Sequence, residues 1–388
     1  MLVLSANYLA MVGSTSNGES KQTLLKMIVH LPGYPKNEQV LMKKKGEITI
    51  YDIASHLKVS PSTVSRALKD HPSIGKKTKK AIQNYAAKYG YQPNTIAASL
   101  RNNKTNTIGI IISWINRPFI ASLISGIEQA ANDAGYNVII TQSQDSYEKE
   151  VANAQALFAG RVEGVVISLA METEKFDHFE QFINKDIPLV FVDRVTDQLN
   201  SDLVAIDNFD AGFKATEHLI TQGCKRIAHL GGSQIRNVYS ERQKGYIAAL
   251  SKHNLPLDES LILHSSLSAE DGHHCAEQLF GLNERPDGVF SANDTAAVSL
   301  IQSAKSKGIK IPEELAVIGF NNDPISSIIE PQLSTIYHPA TDMGVIAATQ
   351  VLKHRKNKEI VKSESIVLNT ELMVRASSDR SIHKQLVG

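Results

Sequence analysis

Apolar positions recur along the chain with two different periods, and the change falls near residue 105. Behind Thr49, the residues Ile50, Ile53, Ala54 and Leu57 share one helical face, and Asp52 supplies the acid of a capping box. Ser60 caps a second helix with Pro61 in its first turn, where a missing N–H costs nothing. Val64 and Leu68 face the first helix at i, i+4 spacing. Only Lys58 and Val59 separate the two helices, which predicts a tight helix-turn-helix. A third helix, from about Lys76 to Tyr89, turns Ile82, Tyr85 and Ala86 inward and its lysines outward. Asn94 caps one more stretch, TIAASLR, too brief to hold a helix alone in water.

Beyond Thr107 the pattern alternates strand and helix. The runs TIGIIIS, YNVIIT, EGVVIS and IPLVFVD are short and rich in Val and Ile, which predicts parallel strands buried on both faces. RIAHLGG, DGVFSAN and ELAVIGF form a second series. The pattern predicts an α/β fold of two doubly wound parallel-sheet lobes, one after the other, preceded by a small all-α domain. Ligands in such folds bind outside the carboxyl ends of the strands, so the residues just after each run carry the interest.

Charge sharpens the division. The whole chain of 388 residues has a net charge of +1, yet Lys43–Lys104 holds thirteen Lys and Arg against three acids, a net of +10. The residues from 105 onward hold 25 bases and 35 acids, a net of −10. A basic head on an acidic body is the electrostatic footprint of a nucleic-acid binder with a separate second domain. Two cysteines, Cys224 and Cys275, form no CxxC or zinc-like spacing, which excludes a disulfide framework and fits a reduced compartment. No apolar run is long enough for a membrane helix. Residues 1–41 keep neither period and lack a signal-peptide pattern; they read as a disordered leader, or as residues upstream of a true start at Met42.

In order, TIYDIASHLKVSPSTVSRAL, YGYQPNTIAASLR, FVDR at 191–194, IDNFDAG at 206–212, ERQKGY at 241–246, SANDTAA at 291–297 and IGFNNDP at 318–324 strongly resemble the LacI/GalR family of bacterial transcription regulators. The resemblance runs from about Ile48 to Ser377. It implies a periplasmic-binding-protein-like core and these boundaries: leader 1–41, helix-turn-helix domain 46–92, hinge helix and linker 93–104, two-lobed effector-binding and dimerisation core 105–377, polar tail 378–388. It implies a cytoplasmic, nucleoid-associated repressor that binds a near-palindromic operator as a homodimer. Its small-molecule effector would be a sugar, sugar phosphate or nucleobase, with no cofactor and no metal.

The resemblance also assigns residues. Pro61, Ser62 and Arg66 match positions that touch base edges, and the Arg66 fork suits guanine O6 and N7. Thr63 and Ser65 would donate to phosphates, and Thr49 and Ser60 complete this surface. Asn94, Ala97, Leu100 and Arg101 belong to the hinge helix, with Leu100 the minor-groove wedge. Phe119, Arg194, Asp207, Arg236, Arg242, Asn293 and Asn321 match effector-binding positions. Asp207 is read either as a ligand contact or as a helix cap. Two departures stand out: Asn321 replaces the usual Asp, and Lys58 the usual turn glycine. The resemblance implies a core that sets the spacing of the hinge segments, and effector and DNA would then alter each other's affinity by one common factor.

Other classes fit less well. A periplasmic-type sugar-binding protein leaves the basic head without a purpose. An enzyme lacks its motifs, since no GxGxxG after a strand, GxxxxGK[ST] loop or GxSxG elbow occurs. The group Asp271, His273, His274 and Cys275 reads as a polar helix surface, because adjacent histidines point to different sides of a helix.

Overall fold

The computed structural model describes residues 48–92, 105–356 and 363–381. The leader 1–41, the hinge helix with Asn94, Ala97, Leu100 and Arg101, and residues 382–388 of the tail lie outside the described residues. The chain divides into two compact units between residues 98 and 99.

The first unit holds α1 (Ile50–Leu57), α2 (Pro61–Leu68) and α3 (Lys76–Lys88). Thr49 and Asp52 form the capping box: Asp52 N donates to Thr49 Oγ1 at 3.3 Å and Thr49 N to Asp52 Oδ2 at 2.8 Å. Ser60 Oγ accepts from Thr63 N at 3.1 Å at the start of α2. Ile53, Val64 and Ile82 are fully buried where the three helices meet, with Ala54, Ala67 and Ala86 filling the close approaches. Lys58 ends α1 in the left-handed region at φ 53°, a conformation that costs a non-glycine residue about 1 kcal/mol.

The second unit contains two six-stranded sheets. The first lobe is built from β1 (Thr107–Ile112), α4 (Pro118–Asp133), β2 (Asn137–Gln142), α5 (Tyr147–Ala159), β3 (Gly164–Ile167), α6 (Asp177–Ile183), β4 (Leu189–Val192) and β5 (Asp202–Ile206). The second follows with α7 (Asn208–Thr221), β6 (Ile227–Gly231), α8 (Asn237–Lys252), β7 (Ile262–His264), α9 (Ala269–Phe280), β8 (Gly288–Ser291), α10 (Asp294–Ser306), β9 (Ala316–Asn321), α11 (Ile325–Ile328) and β10 (Ser334–Tyr337). The chain then returns: α12 (Ala340–Lys356) and β11 (Ser365–Leu368) join the first lobe, and β12 (Glu371–Met373) the second. Strand orders are β11-β5-β4-β3-β1-β2 and β12-β10-β9-β8-β6-β7, parallel throughout except for β12.

Two expectations are corrected. The lobes do not follow one another along the chain, because the segment after Tyr337 goes back to complete the first. The YNVIIT strand is not buried on both faces: β2 is an edge strand that leaves Ile139 and Ile140 exposed. Glycine explains how neighbouring helices pack. A Cβ at Gly245 of α8 would stand 2.1 Å from Phe209 O, and one at Gly212 of α7 would stand 2.3 Å from Arg242 O. The glycines of IDNFDAG and ERQKGY therefore let α7 and α8 touch main chain to main chain.

Candidate functional site

In the first unit, α2 shows two faces. Val64 and Ala67 are buried, while Ser62 and Arg66, one turn apart, are exposed on the other side. Pro61, Thr63 and Ser65 are half-buried. Ser60 Oγ lies 2.7 Å from Ser62 Oγ and 2.8 Å from Thr63 Oγ1, so a hydroxyl cluster covers the free N–H groups at this helix end. The outward arrangement of Ser62 and Arg66 follows from anchoring Val64 and Ala67.

In the second unit, a cavity of about 620 Å³ lies between the lobes at the carboxyl ends of the strands. It brings together Phe119, Arg194, Arg242, Asn293 and Asn321 from widely separated segments. Arg242 is buried on α8: its Nε donates to Asn208 Oδ1 at 2.9 Å and its Nη1 to Ala292 O at 3.0 Å. Its guanidinium carbon sits 3.5 Å over the Phe320 ring. Burial lowers its pKa to about 10, against the pull of Asp193 and Tyr239, so the group stays charged at neutral pH. No described residue takes a hydrogen bond from its Nη2. Arg194 Nη1 donates to Asp145 Oδ1 at 2.5 Å and to Leu169 O at 3.3 Å. Burial alone would lower its pKa, but Tyr239, Asp145 and Asp193 outweigh it and hold it above its ordinary value.

Asn293 caps α10, its Oδ1 accepting from Ala296 N at 2.9 Å and its Nδ2 donating to Leu267 O at 2.8 Å. Phe119 stacks on His338 with ring centroids 4.1 Å apart. His338 lies in the passage from β10 to α12; its Nδ1 is 3.4 Å from Asn321 Oδ1, and its buried Nε2 takes part in no hydrogen bond but stands 3.8 Å from Asp193 Oδ1. Burial, with Arg242 nearby, keeps this imidazole well below its usual pKa and therefore neutral. Burial raises Asp193, opposed by Arg194, Arg242 and Arg117, and pushes Asp323 up to about 6, opposed by Asn321. Asn321 and Asn322 both take positive φ, at 110° and 57°, a region that asparagine tolerates better than most residues.

Two sequence-predicted residues stand elsewhere. Asp207 is exposed and caps α7, accepting from Asp210 N at 2.8 Å; its side chain is spent on the helix. Arg236 is buried but outside the cavity lining, because its Nη2 donates to the main-chain oxygen of Thr173 in the opposite lobe. Conversely, the cavity holds Trp114, Asp145, Tyr239 and His338, which sequence reasoning missed. Trp114 Nε1 donates to Asp145 Oδ2 at 3.0 Å, linking the ends of β1 and β2 to Arg194. Trp114 and Asp145 both follow strands closely, so position alone could have pointed to them. His273 and His274 bond in different directions, to Ser303 and Gln278.

Comparison with known proteins finds relatives of both units. Residues 49–94 match the model of the bacterial regulatory proteins, lacI family, and residues 216–378 that of the periplasmic binding protein-like domain. Catabolite control protein A of Priestia megaterium is 31% identical over 332 residues, 85% of this chain and 99% of that protein. Among solved structures, the complex of the transcriptional regulator CelR with cellobiose aligns at 25% identity and TM-score 0.64, covering 85% of this chain and 99% of the other. The lac repressor dimer bound to operator and an anti-inducer shares the fold at TM-score 0.78 and 23% identity, over 86% and 99% of the two chains.

Proposed function

The chain belongs to the lacI family of bacterial regulatory proteins, and from that membership we propose that it is a repressor whose grip on its operator is set by a sugar or sugar derivative in the interlobe cleft. It is a DNA-binding transcription regulator and not an enzyme. In this reading, α2 enters the major groove. Arg66 then offers a fork to guanine, worth about 1–3 kcal/mol of discrimination, while Pro61 and Ser62 meet neighbouring base edges. Thr63 and Ser65 turn to phosphates, and Thr49 and Ser60 fix the helix ends that carry them. The exposed Arg66–Ser62 face and the net charge of the head support this assignment.

The effector assignment is carried by one observation: the buried Arg242 guanidinium is pinned through Nε and Nη1 and has no described partner for Nη2. A pinned donor beside Asp193, with Trp114 and Tyr239 on the walls, suits a ligand that presents hydroxyls and one apolar face. Arg194, Asn293, Asn321 and Phe119 take part around it. The cellobiose carried by the similar regulator CelR lends weight to a sugar. A near-palindromic operator calls for two copies of the chain, and exposed apolar side chains, Ile139 and Ile140 on β2 with Ile325 and Ile328 on α11, lend support to self-association. Among the described residues no helix is long and apolar enough to cross a membrane; a DNA-binding role assigns the protein to the cytoplasm and its nucleoid.

A thermal-shift and calorimetric panel of sugars, sugar phosphates and nucleobases on the full chain tests the reading. A sugar that raises the melting temperature of the parent but not of Arg242→Ala supports it. Binding of nucleobases alone overturns the ligand class, and no binding overturns the cleft assignment.

A further inference from the structure

Arg236 and Asn237 stand at the start of α8 in the second lobe, yet both side chains end on the first. Arg236 Nη2 donates to Thr173 O. Asn237 Oδ1 accepts from Val195 N at 3.2 Å, and its Nδ2 reaches Asp193 O at 3.4 Å. The loop that receives Arg236 is itself held from inside the first lobe. Glu150 is fully buried; its Oε1 accepts from Thr173 Oγ1 at 2.8 Å and lies 3.0 Å from His178 Nε2, and its Oε2 accepts from Ala170 N at 2.7 Å.

A buried carboxylate is costly unless partners surround it, and neither the cleft nor the head uses this one. Its hydrogen bonds fix residues 170–173, the landing place of Arg236. Arg236 is buried too, and its Nε–H has no partner. A buried donor left unpaired offsets part of what the contact with Thr173 contributes. The next two residues of α8, Val238 and Tyr239, line the cleft.

We propose that the first turn of α8 is a clasp that sets the angle between the lobes, with Arg236 as its principal positioning residue. Arg236 and Asn237 hold the first lobe at Thr173, Asp193 and Val195, and a ligand packed against Tyr239 steadies the same turn. The clasp thereby takes the place of a ligand contact for Arg236. Coupling to ligand rests on the cleft being the effector site; the clasp itself does not. A ligand that fits only the clasped form shifts the lobe equilibrium by its differential affinity.

Spin labels attached at Glu180→Cys on α6 and Glu270→Cys on α9, both exposed and one in each lobe, report the interlobe distance in the full-length protein. Both native thiols, Cys224 and Cys275, are buried, and burial pushes Cys224 up to about 12 and raises Cys275, which disfavours their labelling. Pulsed dipolar spectroscopy should show a shift to longer distances in Arg236→Ala, a smaller shift in Asn237→Ala, and recovery toward the parent in Arg236→Lys, which keeps a donor. Arg236→Met serves if the alanine variant fails to fold, with circular dichroism checking both. An unchanged distance distribution in the folded variants overturns the clasp, even if a sugar binds the parent. A shifted distribution in a protein that binds no member of the panel supports the clasp and removes the effector reading.

Discussion

Replacing Gly245 by Ala tests whether main-chain contact between α7 and α8 holds Arg242 in place. The added methyl would stand 2.1 Å from Phe209 O and 2.6 Å from Phe213 N, well inside the separation of about 3.5 Å that nonbonded heavy atoms prefer. Both obstacles are backbone, so the helices must part by roughly 1 Å or more. Overpacking of this kind costs about 1–3 kcal/mol. At about 2–4 °C per kcal/mol for a large domain, the melting temperature should fall by roughly 2–12 °C. The same displacement draws Arg242 away from Asn208, now 2.9 Å from its Nε, so ligand affinity falls along with stability. Differential scanning calorimetry and titration calorimetry read the two effects. Gly75→Ala is the control, since a methyl there meets nothing within 4 Å and should leave the second unit's transition unmoved. A Gly245→Ala protein that melts and binds like the parent would show that the contact between α7 and α8 does not hold Arg242.

Arg66→Ala should bring operator affinity about 1–3 kcal/mol closer to that for random duplex, measured by fluorescence anisotropy; unchanged specificity would contradict the groove assignment. Lys58→Gly should stabilise the first unit by up to about 1 kcal/mol by relieving its left-handed φ of 53°, read from chemical denaturation, whereas a loss of stability would show that the lysine makes a compensating contact. Asp294 is buried, with Thr335 Oγ1 and Asp323 N each 2.7 Å from its carboxylate, and burial pushes its pKa from 3.8 up to about 8. The folded protein then keeps a proton that the unfolded chain releases, so this group's stabilisation is complete below pH 3.8 and declines up to about pH 8. Asp294→Asn should therefore have a flatter melting-temperature profile between those limits than the parent; parallel profiles would count against the buried proton.

Local signals made the head readable. Thr49, Asp52, Ser60 and Pro61 act within one helical turn, and the structure carries the capping box and caps that their spacing predicts. The strands too were legible as Val- and Ile-rich runs, but their membership in lobes was not, since nothing local in α12 or β11 tells that they return to the first sheet. The cleft divides along the same line. Arg242 sits where ERQKGY suggested, because Gly245 fixes its helix against α7. Arg236 escapes such reasoning, since its side chain is long enough to cross to the other lobe, whereas Asp207 takes the second of its two sequence readings, the helix cap, with Asp210 N as partner. His338 was hidden because its role depends on a passage between lobes that only the three-dimensional arrangement creates.

A thermodynamic cycle on the full-length protein, with a duplex selected from genomic fragments and the ligand found by the panel, measures the coupling between cleft and head. Ligand should change duplex affinity, duplex should change ligand affinity by the same factor, and Arg242→Ala should remove both effects while leaving duplex binding. Equal duplex affinity with and without saturating ligand would contradict this coupling.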